Sequence, residues 1–143
     1  MECRLMTKYY GKVGRSDFGV DSVGIPSAWD GWIEMHAPKP EAGDWYAGEN
    51  GEWMYGEAPE EIKDRVMAAK SQKMRLLTEA NAMINMIEQE AIETPELYVK
   101  QVYNPYTDEI DNVNEELEKW HNYRKELIRV DVEAKEIKWP ELP

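Results

Sequence analysis

The sequence is poor in the residues that staple or insert a protein. Cys3 is its only cysteine, so no internal disulfide can form and a disulfide-stapled secreted fold is excluded. No apolar run approaches the roughly 18 residues a membrane helix needs. The opening MECRLMTKYYGKVG lacks the apolar stretch of a signal peptide, and a protein of a reducing cytosol is the expectation. Phenylalanine occurs once, whereas there are six Trp, eight Tyr and eight Met. Trp and Tyr join a large apolar face to a polar handle, which suits interfaces as well as cores. Positive charge is scarce too: 17 Lys and Arg face 29 Asp and Glu, a net charge of −12. Such a chain repels nucleic acid and anionic lipid. A DNA mimic would need carboxylates spaced like phosphates along one face, and the acids here instead flank apolar stripes.

Chemistry is equally sparse. His36 and His121 are the only histidines and fall in different halves, and Cys3 has no sign of activation. The acidic stretch TDEIDNVNEELE lacks the turn glycine and ligand spacing of a calcium loop. GRSDFG and GENGEW lack the context of a phosphate cradle. No catalytic residue, metal or cofactor is expected, and the reading is of a protein that is not an enzyme.

The pattern changes near residue 58. All nine glycines lie before that point, and residues 1–58 read as a small region of short strands and turns. Asn50-Gly51 within DWYAGENGEWMYG is a strong hairpin signal. A two-residue loop there sets Tyr46 opposite Tyr55, and a four-residue loop sets Tyr46 opposite Trp53. Trp29, Trp32, Trp45, Tyr46, Trp53 and Tyr55 are the candidate partner-binding set.

Residues 59–143 read as helical. Pro59, Glu60 and Glu61 suit a helix start. Ile62, Val66, Ala69, Leu76, Ala80, Met83 and Ile87 then recur at steps of three and four with only Lys73 interrupting, near a coiled-coil seam. At about 1.5 Å per residue this helix is roughly 45 Å long. A second helix is expected from a Thr107 cap, with Ile110, Val113, Leu117, Trp120, Tyr123, Leu127 and Val130 as its stripe. Between the two, TPELYVKQVYNPY reads as a single capped turn ended by Asn104-Pro105. The expected fold is α+β: a β-rich amino-terminal region with an aromatic hairpin, then an antiparallel helical hairpin and an extended tail. Two stripes cover each other poorly, so a homodimer or a docked partner protein is expected, with no nucleic acid and no membrane.

The final stretch EKWHNYRKELIRVDVEAKEIKWPELP is more specific. Trp120, Tyr123, Arg124, Leu127, Val130 and Asp131, followed by Ile137, Trp139, Pro140 and Pro143, make an ordered mixed pattern. This pattern resembles the carboxy-terminal signature of the tail fibre assembly proteins of tailed bacteriophages. KMRLLTEANAMINMIEQE is similar to that family's long helix, and AGENGEW matches its layout more loosely. The longer connector TPELYVKQVYNPY departs from the family. The resemblance implies a chaperone that helps a trimeric tail fibre fold by binding its carboxy-terminal, receptor-binding tip. It acts in the host cytoplasm, from a phage or prophage gene. A tip cap or adhesin subunit kept on the virion is the alternative. Trp139 is expected to fold back onto the aromatic helix face, with Pro140 stiffening its exit.

Overall fold

The computed structural model of the chain describes residues 7–21 and 31–143. Cys3 and Trp29 lie outside the described residues. The chain divides into two compact units, residues 1–67 and 68–143.

In the first unit, β1 (Lys8–Lys12) is the middle of a three-stranded antiparallel sheet between β2 (Phe18–Asp21) and β3 (Trp32–Met35). Tyr10 sits opposite Gly19 on one side and Glu34 on the other. A second ribbon joins β4 (Trp45–Ala47) to β5 (Trp53–Tyr55). The two sheets are stitched by backbone bonds from Gly14 N to Ala47 O (2.8 Å) and from Ala47 N to Arg15 O (3.0 Å). Tyr10, Met35, Ala47 and Ala58 are buried in this small core. Gly11 makes that packing possible: a Cβ there would lie 2.8 Å from the Ala47 Cβ.

The β4–β5 register differs from both sequence expectations. Trp45 faces Tyr55, Tyr46 faces Met54 and Ala47 faces Trp53. The loop has three residues, Glu49-Asn50-Gly51. Gly51 takes the left-handed conformation (φ 81°), whereas Asn50 does not. This is the loop length that closes with a left-handed glycine rather than with two positive-φ residues. Tertiary contact selects it. His36 N donates to Gly51 O at 2.9 Å, and the His36 Nε2–H reaches the Asn50 carbonyl at 2.9 Å. The loop is therefore fastened to the end of β3.

Helix α1 (Pro59–Glu93) begins in this unit. Its first turns are held by four contacts. Glu60 N donates to Gly14 O at 3.0 Å, Ser16 N to Glu61 Oε1 at 2.9 Å, Arg15 pairs with Asp64 at 2.8 Å, and Arg65 pairs with Glu57. Those contacts tie the start of α1 to the strands of the first unit.

In the second unit the remainder of α1 packs on α3 (Glu115–Ile128). Lys73 meets Ile128 and Val130, whereas Asn81 meets Arg124. This opposite order makes the helices antiparallel. The connector is not a single helical turn. After α2 (Pro95–Tyr98), the chain forms a long β-ribbon, β6 (Val99–Asn104) paired with β7 (Glu109–Asn114).

The expected start of the second helix is corrected accordingly. Thr107 caps nothing and lies in the ribbon's turn, while Ile110 and Val113 are strand residues. Asn114 is the cap, its side-chain oxygen accepting from Leu117 N at 3.1 Å. The β-branched and aromatic residues on either side of Asn104-Pro105 outweigh the helical spacing, because each strand supplies the other's backbone partners. Val130 likewise falls beyond the helix, in its exit turn.

Candidate partner-binding surfaces

The most constructed feature of the second unit is a clasp between α1, α3 and the carboxy-terminal tail. Ala80, Tyr123 and Leu127 are buried at its centre, and Leu76, Leu77, Trp120 and Trp139 pack around them. Ala80 is small enough for α3 to come close, and Tyr123 fills the space above it. Trp120 meets Tyr123 edge to face, with ring centres 5.6 Å apart. Burial raises the Tyr123 hydroxyl pKa, with nearby Glu79 adding to the effect. Arg124 donates from Nε to Asn81 Oδ1 at 2.7 Å.

Lys73, the apparent flaw in the α1 stripe, has a specific task. Its ammonium donates to the carbonyls of Ile128 (2.9 Å) and Val130 (3.0 Å). These carbonyls close the carboxy-terminal end of α3, where the helix dipole favours a cation. The chain then leaves the helix at Asp131, whose carboxylate accepts from Glu133 N at 3.0 Å. That local turn redirects the backbone and lets Trp139 return to the cluster. Ile137 and Pro140 are half-buried, whereas Pro143 is exposed. A cleft of about 690 Å³ lies between the end of α3 and the tail, with Arg129, Ile137, Trp139 and Pro140 among its walls.

The aromatic residues of the first unit differ in their surroundings. Trp53 is committed to the fold: its indole N–H donates to Ala37 O at 2.9 Å, and its ring meets Phe18 edge to face at 5.9 Å. Trp45 donates to Ala42 O at 2.7 Å and stacks edge to face on Tyr55 at 5.2 Å. Trp32 lies under the Lys12 ammonium, 5.0 Å from the ring centre. Tyr46 lines a groove of about 650 Å³ with Met54 and Pro59. Tyr55 is the most open of the described members of the set, at 75% exposure.

The sequence reading missed the β6–β7 ribbon. Tyr103 (59% exposed), Ile110 (64%) and Tyr106 at the turn (95%) form an apolar, aromatic end that nothing in the unit covers. Tyr103 and Ile110 are cross-strand partners and share a face. The turn is well ordered by its own side chains. Tyr106 N donates to Asn104 Oδ1 at 2.9 Å, and Asp108 adopts φ 56°. The Tyr103 hydroxyl donates to Asp108 at 2.6 Å, which raises the Tyr103 pKa. The run of Val99, Val102 and Tyr103 before an Asn-Pro turn was the available signal.

Among the described residues, no group of three or more His, Cys, Asp or Glu side chains is placed to hold a metal. No helix there is long and apolar enough to cross a membrane.

These features define an α+β protein of two units, the second built as a helix pair clasped by an aromatic, proline-ended tail. A likeness to known proteins falls within that second unit. The family model described as Caudovirales tail fibre assembly protein, lambda gpK, matches residues 106–143, and in that segment the chain is similar to the tail fibre assembly family. The matched segment runs from the ribbon's turn through β7 and α3 to the last residue of the tail. No curated protein and no solved structure matches the chain significantly.

Proposed function

We propose that the protein is a non-catalytic chaperone for a phage tail fibre, binding the fibre's carboxy-terminal, receptor-binding end while it folds in the host cytoplasm. The family match over residues 106–143 carries this reading. The physical task suits the surfaces described. A β-rich fibre tip must find its register through non-local pairing, which is slow because loop closure precedes the rewarding contacts. Meanwhile its open edges and apolar patches aggregate. A partner with exposed aromatics and a net charge of −12 can cover those surfaces and hold the complex in solution.

The test is co-expression of the tail fibre from the same genome with and without this protein. Soluble, trimeric fibre is expected only in its presence. Equal yields of trimer without it would defeat the proposal. Probing purified particles for the protein distinguishes a chaperone that departs from a tip subunit that stays.

A further inference from the structure

We infer that the β6–β7 ribbon is a strand-addition site, taking an extended segment of the fibre, apolar with flanking Lys or Arg, onto one of its open edges. This rests on the tail-fibre reading and adds to it where and how the fibre is held.

Backbone accounting comes first. The ribbon is a sheet of only two strands among the described residues, so each strand has an edge with no strand neighbour. Six-residue strands of this kind leave a row of N–H and C=O groups open to another chain. A two-stranded ribbon is marginal by itself in water. This one is nevertheless held ready by contacts at both ends. At its base, Tyr98 bonds to Glu90, Lys100 pairs with Glu115 at 3.2 Å, and Asn114 caps α3. At its tip, Asn104, Asp108 and Tyr103 fix the turn. An ordered ribbon with bare edges is the geometry of β-augmentation, in which main-chain bonds give affinity and alternate side chains give specificity.

Charge selects the occupant. The ribbon carries Asp108, Glu109 and Asp111 against one cation, Lys100, already paired with Glu115. A strand bearing Lys or Arg is attracted and brings apolar residues onto Tyr103 and Ile110. A second copy of this acidic chain meets like charge at the same edge and is disfavoured. The family match begins at Tyr106, so β6 lies outside the matched segment and only half of the ribbon falls within it.

The test is hydrogen exchange on the full-length protein, alone and in complex with the co-expressed carboxy-terminal region of the tail fibre from the same genome. Amides of residues 99–104 or 109–114 are expected to slow by about tenfold or more in the complex. The double variant Tyr103→Ser, Ile110→Ser is expected to bind that fibre region roughly 30-fold more weakly, with unchanged helix content. A complex that forms with no added protection in the ribbon overturns the inference while leaving the assembly reading intact. If no complex forms at all, both fall. A dimer of the free protein that dissociates in the double variant assigns the ribbon to a second copy, and also overturns it.

Discussion

Replacing Trp139 by alanine tests whether the tail is part of the fold or only lies beside it. The Trp139 ring packs on the cluster of Ala80, Tyr123 and Leu127. A tryptophan of this kind takes about 150 Å² out of water, which at about 25 cal/mol per Å² is worth roughly 4 kcal/mol. Freeing the tail returns about 1–2 kcal/mol of conformational entropy. The net loss is then about 2–3 kcal/mol, which for a unit of this size lowers the melting temperature by roughly 10–20 °C. Far-ultraviolet circular dichroism in urea and on heating reads it directly, because α1 and α3 supply most of the helical signal. Leu142→Ala is the control: Leu142 is 68% exposed, and a change within about 0.5 kcal/mol is expected. If Trp139→Ala also stays within about 0.5 kcal/mol, the tail is not a packed element and the clasp account is refuted.

Other outcomes follow from the same contacts. Lys73→Met removes the cation from the Ile128 and Val130 carbonyls and should cost about 1 kcal/mol in urea unfolding, with a smaller loss at high salt. In a low-pH titration, Glu61 should mark the acid limb of stability. The Ser16 hydroxyl and then the Ser16 N–H hold its pKa below the ordinary carboxylate value. Its contribution is therefore complete above the unfolded pKa of about 4.3 and disappears as pH falls through the lower folded value. Glu61→Gln should be less stable than wild type at neutral pH, and the gap should close in acid; a gap independent of pH contradicts this assignment. Trp53→Ala should destabilise the first unit by about 3 kcal/mol, whereas Tyr55→Ala should cost under about 1 kcal/mol, as read by chemical denaturation with the remaining tryptophans as probes. Comparable losses for the two would show that Trp53 is not the structural member of the pair.

The amino-acid sequence determined a good deal by itself. Helical periodicity after Pro59 and the glycine-rich region before it are local properties, so an α+β chain with a long helix was legible without coordinates. The ordered residues from Trp120 to Pro143 pointed to the tail fibre assembly family for the same reason, and the family model matches over them: their spacing is written along one short stretch. Other features belonged to tertiary structure alone. Asn50-Gly51 marks a turn, but the three-residue loop was chosen by His36 on a different strand. Residues 107–114 carry spacing that suits a helix, yet residues 109–114 became strand because residues 99–104 pair with them. Lys73 looked like a break in a stripe until the end of α3 arrived beside it. Trp53 and Tyr55 are indistinguishable as exposed aromatics in a sequence, yet the first is held by Ala37 and Phe18 and the second is open. The difference has one physical cause. Periodicity and turn chemistry are encoded over a few neighbours, whereas register, burial and the partner of a charged group depend on which distant segment fills the remaining space.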